Sequence, residues 1–261
     1  MKLKMKMCMV IAAAAILTGQ TIAYAEEAEK PTASVDLGAF SQYVWRGLAL
    51  SKNSLVIQSS VTVGYKGVSL NVWGNLDTDK YHGNGSEYNE TDITLSYTKS
   101  IGIVNLTGGY IYYGYGLGNY DTQEFYVSAS YDTLLKPTLT VYRDTEHYAG
   151  WYITAAVSYS LPLVDKITMD LGAKASYLKA EDASSYSKRG LGEEACDGFH
   201  DGVISAAINF PVNTYITITP QVAYSFPLTS MASDLIKSAS LNHEDPSSSF
   251  IYGGVAVSLA F

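Results

Sequence analysis

The chain has 261 residues, with 25 acidic against 17 basic side chains and a formal net charge of −8. That balance argues against nucleic acid as a partner, because binding a phosphate backbone calls for a surplus of Lys and Arg. Two cysteines, one of them inside the first ten residues, exclude a small secreted fold stapled by disulfides.

The first 25 residues read as a secretory signal peptide. Lys2, Lys4 and Lys6 make a basic start, Met7 to Gly19 is apolar, and Ala23-Tyr24-Ala25 is a small-x-small cleavage site before Glu26. The apolar stretch falls short of the ~20 residues of a spanning helix. Cys8 lacks the small-residue surroundings of a lipoprotein cleavage site. The expected mature protein is a single domain over 26–261. It is more negative than the whole chain, since the leader removes three lysines and no acid. Cys196 is then its one cysteine and reads as a surface thiol.

From residue 26 onward no segment is apolar for long enough to be a spanning helix. Alternation and turn residues predict twelve strands. They fall at about 33–45, 54–65, 68–77, 90–99, 103–115, 123–131, 137–146, 149–160, 166–179, 201–210, 214–226 and 249–261. Residues 231–240 carry the best helical period, over a short run. The strands are about 9–14 residues long, against about 5–6 for an ordinary strand and about 9–11 for one crossing a membrane at a tilt.

The connectors alternate long and short in chain order. Residues 46–53, 78–89, 116–122, 180–200 and 227–248 are long, and the connector near His147 is the short exception on that side. Between them lie Lys66-Gly67, Ser100-Ile101-Gly102, residues 132–136 and Pro211-Val212-Asn213. Long loops on one side and tight turns on the other mark an outer-membrane barrel. An even strand count puts both termini on the turn side.

Facing follows from the two-residue period. In strand eight, Trp151, Ile153, Ala155, Val157 and Tyr159 alternate with Tyr152, Thr154, Ala156, Ser158 and Ser160. In strand four, Ile93, Leu95 and Tyr97 alternate with Asp92, Thr94, Ser96 and Thr98. Strands nine and eleven repeat the pattern. A soluble sandwich would bury its apolar face and have no reason for aromatics at both strand ends. The last strand stays apolar on one parity up to Phe261, as closure against the first strand requires. A terminal aromatic there resembles the C-terminal signature read by the outer-membrane barrel-assembly machinery. The expected fold is all-β: a transmembrane antiparallel up-and-down β-barrel of about twelve strands in a Gram-negative outer membrane.

The stretch Tyr43-Val44-Trp45-Arg46-Gly47 is followed by Gln58, by Gly64-Tyr65 and by Gly67-Val68-Ser69-Leu70-Asn71-Val72-Trp73-Gly74-Asn75. Over about residues 34–77 this resembles the N-terminal signature of the TorF-type porin family of bacterial outer-membrane barrels. That family carries an aromatic-Arg-Gly motif in its first loop. Departures are Trp45, where Phe is commoner, Ser59, where Gly is typical, and the apolar run Leu48-Ala49-Leu50. The resemblance implies a channel.

Inward parity selects the candidate pore-lining residues: Asp36, Gln42, Arg46, Asn71, Trp73, Asp92, Tyr142, Asp144, Asp170, Lys174 and Gln221. Arg46 is expected at the outer end of strand one, with Asp residues, Arg46 and Lys174 setting a field across the lumen. Rings of charge and constriction width decide which solutes pass. The same charges, paired, would plug the barrel instead. Twelve strands lie between the eight that enclose only side chains and the sixteen that leave a wide channel. The expected function is passive diffusion of small polar solutes or ions, the acidic balance favouring cations and neutral solutes.

Other classes fare less well. The chain lacks the His–Ser pair of an outer-membrane phospholipase, and His82, His147, His200 and His243 all fall in or beside predicted outer loops. His147, near Asp144 and Glu146, is the best acid/base candidate and reads as a solvated loop residue. Glu193, Glu194, Cys196, Asp197, His200 and Asp201 crowd one loop, without the spacing of a compact metal motif. The sequence implies no cofactor and no enzymatic activity. Expected partners are outer-membrane lipid and lipopolysaccharide, the assembly machinery through Phe261, and small polar solutes.

Overall fold

A computed structural model of the chain describes residues 30–80, 85–116, 120–181, 195–241 and 246–261. The signal-peptide assignment lies outside these residues, as do His82, Glu193, Glu194 and His243.

Residues that alternate apolar and polar form strands throughout. The elements are β1 (Thr32–Phe40), β2 (Val44–Trp45), β3 (Leu48–Ala49), β4 (Val56–Tyr65), β5 (Val68–Asp77), β6 (Glu87–Ile101) and β7 (Val104–Tyr115). They continue with β8 (Thr122–Tyr131), β9 (Thr138–Asp144), β10 (Gly150–Val164), β11 (Ile167–Ala180), β12 (Asp197–Pro211), β13 (Ile216–Pro227), α1 (Ser230–Ala239) and β14 (Phe250–Ala260). Apart from β2 and β3, which pair only with each other, the strands form one closed barrel of sequence neighbours. β1 closes it, pairing antiparallel with β4 on one side and β14 on the other, from Ser34 opposite Ala260 to Phe40 opposite Gly254. Closure leaves no sheet edge, which a wall standing in lipid requires.

The outer face is apolar. Leu37, Val61, Leu70, Leu95, Val127, Leu139, Ile204, Val222 and Ile251 are all exposed. A soluble sheet would hide these side chains, whereas a lipid-facing wall needs them. Aromatics ring both ends of the belt. Tyr65, Tyr97, Tyr131, Tyr215 and Phe261 lie on the turn side, and Tyr88, Trp151 and Phe199 on the loop side. Tyr215 and Phe261 face each other at 6.4 Å between ring centroids. Such rings suit the membrane–water boundary.

The inner face divides by height. The turn-side half is lined by hydroxyls and amides, including Thr62, Asn71, Thr98, Thr107, Ser128 and Thr140. The loop-side half holds a packed core. Tyr43, Trp45, Leu48, Ala49, Leu235 and Ile236 enter it from the loops and meet Trp73, Ile111, Tyr113, Tyr142 and Tyr152 of the wall.

Two segments account for that filling. The first strand ends at Phe40 rather than about residue 45, and the chain then turns into the barrel. The alternation of Tyr43-Val44-Trp45 is real, but it belongs to the small hairpin β2–β3, with Val44 opposite Ala49 and Trp45 opposite Leu48. The second segment is α1, on the short stretch that carried the best helical period within the expected loop 227–248. Thr229 caps it, its side chain accepting from the Ala232 N–H, as N-cap threonines do. Its Ala232, Leu235 and Ile236 are buried. The helix end clasps the hairpin: the Ala49 N–H donates to Ser240 Oγ at 3.0 Å, and the Leu241 N–H donates to the Ala49 carbonyl at 2.7 Å.

Candidate functional site: a caged arginine in the barrel lumen

The hairpin tip is the two-residue turn Arg46-Gly47, with φ of 50° and 79°. Positive φ at both central positions marks the turn type that matches strand twist, and it favours Asn, Asp and Gly. An arginine there bears a steric cost, so its side chain has to be held by something. The His200 Nε2 donates to the Arg46 carbonyl at 3.0 Å, which fixes the tip to the wall.

The guanidinium of Arg46 lies inside the barrel. Its Nη2 is 2.7 Å from Glu124 Oε2, and both side chains are buried, Glu124 to 1 % exposure. The Tyr113 hydroxyl donates to the same Oε2 at 2.8 Å. The guanidinium carbon stands 4.3 Å from the Trp45 ring centroid, 4.2 Å from Tyr152 and 5.1 Å from Tyr142. Register explains the tyrosines. Tyr126 is directly opposite Tyr142, and Tyr142 directly opposite Tyr152, so three strands present one aromatic row. A cation over aromatic faces with a carboxylate at hydrogen-bond distance is bound by two reinforcing attractions.

A second ion pair adjoins the first. Lys174 Nζ is 3.2 Å from Asp201 Oδ2 and donates to the Tyr152 hydroxyl at 3.0 Å. That hydroxyl donates to Asp201 Oδ1 at 2.7 Å, and Ser176 Oγ donates to the same oxygen. Tyr152 thus offers its face to Arg46 and its hydroxyl to the Lys174–Asp201 pair. A third group surrounds the loop residue Tyr43, whose ring packs at a tilt against Trp73, 5.6 Å between centroids, and which hydrogen-bonds Glu90. Burial pushes the Tyr43 phenol well above its usual range, so it stays a neutral donor. Asp92, also buried, has an Oδ1 with no hydrogen bond among the described residues.

The sequence-derived residues are distributed as follows. Arg46, Tyr142 and Lys174 come together in the connected cluster, and Trp73 and Asp92 lie beside it. Asp144 accepts from the Thr122 hydroxyl and the Glu146 N–H near the loop mouth. Gln42 is buried in the inward loop, its Nε2 3.5 Å from the Ser51 carbonyl. Toward the turn side, Asn71 donates to Thr62 Oγ1 at 2.7 Å. Asp170 accepts from Asn209 there. Asp36 accepts from Ser60 at 3.3 Å, and Gln221 is half-buried opposite Gly254.

Three expectations need correcting. Arg46 is not at the outer end of β1 but inside the lumen, because the chain leaves the wall after Phe40. His200, expected in or beside the outer loop 180–200, lies within β12 and is 1 % exposed. Cys196 is buried rather than a surface thiol.

Parity could have found several residues that reasoning passed over. Glu124 shares the parity of Ser128 and Ser130, both lumen-facing, and Tyr152 shares that of Thr154. Asp201 shares the parity of the buried Val203 and was accessible in the same way, whereas His200, on the parity of the exposed Ile204, was not. Opposite Ser176, β12 carries two residues, His200 and Asp201, between the pairs Tyr177–Phe199 and Ala175–Gly202. The extra residue of this bulge resets the alternation, and both side chains end up buried.

Closed wall, apolar belt, aromatic rings and charged interior together define a membrane-spanning β-barrel of the outer-membrane type. Neither a family model nor a curated protein matches the sequence. Among solved structures the chain is similar to the NanC porin, with a TM-score of 0.57 at 11 % identity, covering 86 % of this chain and 98 % of that one. It is also similar to the KdgM porin, alone and in complex with disordered oligogalacturonate. There the TM-score is 0.53 at 11 % identity, over 87 % of this chain and 99 % of that one. At such identity the likeness is one of fold, and it extends over nearly the whole length of these porins.

Proposed function

We propose that the protein is a narrow outer-membrane channel for passive diffusion of small polar solutes, favouring cationic and neutral ones. The observation that carries this reading is the composition of the enclosed lumen. Asp77, Glu90, Asp92, Glu124, Asp144, Asp170 and Asp201 are buried on the inner side, against Arg46 and Lys174. Acidic linings favour cations. Oligogalacturonate, seen with the KdgM porin, is a polyanion, and a surplus of buried acid opposes carrying that substrate class over to this chain. We assign membership of the TorF-type family on the Trp45-Arg46-Gly47 segment, and recognition by the assembly machinery to the terminal strand and Phe261. No covalent chemistry is assigned.

A second reading has its own observation. The hairpin β2–β3 and α1 fill the loop-side half of the lumen, as the plug of a structural or docking barrel would. Planar-bilayer recordings of the refolded mature protein separate the two. The channel reading expects discrete conductance steps that grow in Arg46→Ala. A demonstrably folded barrel with no steps in either form would overturn it in favour of the plug.

A further inference from the structure

The cage around Arg46 has the chemistry of a binding site that is occupied by part of its own chain. Glu124 supplies a carboxylate at 2.7 Å, and Tyr142 and Tyr152 supply aromatic faces at 5.1 and 4.2 Å from the guanidinium carbon. These three groups belong to the barrel wall, on β8, β9 and β10. Arg46, by contrast, belongs to an inserted hairpin that pairs with no barrel strand. A hairpin of two residues per strand is not stable on its own. It is held in place by the cage, by the His200 bond to its tip and by the clasp of α1 at Ala49. The arginine also sits on a left-handed turn position that disfavours it, with φ of 50°, so the backbone alone would not have placed it there.

We propose that the wall residues Glu124, Tyr142 and Tyr152 form a receptor site for a solute bearing a guanidinium or primary ammonium group, with Arg46 as a tethered occupant that such a solute replaces. The electrostatics of the wall require some occupant. Glu124 is 1 % exposed, and besides Arg46 it accepts from the neutral Tyr113 hydroxyl. A buried carboxylate stripped of its counter-ion is strongly disfavoured. A withdrawn hairpin therefore leaves a vacancy selective for a cation. Tyr142 and Tyr152 narrow the choice to a cation that fits against ring faces. The carboxylate narrows it further to one that donates N–H bonds. On the next level toward the turns the wall carries the hydroxyls of Ser128, Thr140 and Thr154, side by side across β8, β9 and β10. The inference deepens the channel reading by naming a solute class, and it rests on that reading for the solute's arrival though not for its binding.

A tether holds Arg46 at high effective concentration, so an added solute competes poorly in the unaltered protein. Removing the side chain exposes the site. The test is calorimetric titration of methylguanidinium into the folded mature barrel carrying Arg46→Ala, at constant ionic strength. Saturable binding to one site is expected, weaker by about tenfold or more when Glu124→Gln is added, as loss of a charge-assisted hydrogen bond implies. Tetramethylammonium, a cation without N–H donors, is expected to bind weakly in both. Should Arg46→Ala fold poorly because Glu124 is left uncompensated, methylguanidinium and not tetramethylammonium is expected to restore its refolding yield. The double variant, which carries no buried charge there, should fold without either. Folded Arg46→Ala that binds methylguanidinium no better than the double variant would overturn the receptor site. So would a poorly folding Arg46→Ala that methylguanidinium does not rescue. Conductance without such binding leaves the channel standing and removes the site. Binding without conductance keeps the site and removes the channel.

Discussion

Arg46 and Glu124 stabilise each other in a place where neither would be stable alone. Each single truncation leaves a buried charge, at a cost of about 3–5 kcal/mol, while removing both leaves none. Arg46→Ala and Glu124→Ala are therefore each expected to lower barrel stability by that amount, and the double variant by clearly less than their sum. Urea unfolding of the four forms in detergent checks this. Tyr152→Phe is a milder change. It keeps the ring face against Arg46 and removes the hydroxyl between Lys174 and Asp201. A loss of about 1–3 kcal/mol is expected, the range for leaving buried polar partners unsatisfied. Additive costs for Arg46 and Glu124 would mean that the two do not face each other across the lumen.

Among the elements, the hairpin β2–β3 is the one whose placement depends on a single small residue. Gly47 has φ of 79°, and a Cβ there would meet Ile236 Cδ1 at 2.9 Å and Asp201 Cβ at 3.1 Å. Gly47→Ala thus adds backbone strain of about 1–3 kcal/mol to a contact with α1. It is expected to loosen the hairpin and to raise current noise in bilayer recordings, while the barrel itself folds. Quiet currents of unaltered size would show that the hairpin does not border the permeation path. The barrel strands were legible in the sequence for a simple reason. Their two environments differ in kind, lipid outside and polar groups inside, so parity stays readable along Ile93-Thr94-Leu95-Ser96-Tyr97 and Trp151-Tyr152-Ile153-Thr154. Inside the loop-side lumen that contrast disappears, since Tyr43, Trp45 and Leu48 of the hairpin are apolar among aromatics of the wall. Nothing in the period of residues 41–50 distinguishes a strand that continues from one that turns inward. Arg46 was picked out by its motif, but its partner is a glutamate 78 residues away, and its depth in the lumen follows from packing that one-dimensional pattern does not encode. The bulge at His200-Asp201 hid the inward facing of His200 for a different reason, since one extra residue reverses the facing of everything beyond it.

At the scale of the molecule, the barrel joins two solvents. Its apolar belt meets lipid, so a charge introduced there is expected to be costly. Leu95→Arg, on the exposed face of β6, should destabilise the folded barrel by as much as about 2–4 kcal/mol, the range for arginine at the bilayer midplane. Thermal unfolding in lipid vesicles measures it, and a neutral outcome would mean that this face does not meet lipid. The interior carries the opposite logic. Among the described residues acidic groups outnumber the two buried cations, and each of those cations is already paired with one of them. The formal side-chain balance of the lumen is therefore acidic, and the channel reading takes that surplus to favour cations over anions along the path. The central claim is a narrow, cation-preferring channel, and the most direct test is the reversal potential of single channels in a planar bilayer under a potassium chloride gradient. The account predicts discrete steps with a reversal potential on the cation-selective side, moving further that way in Arg46→Ala. Anion-selective steps would contradict it.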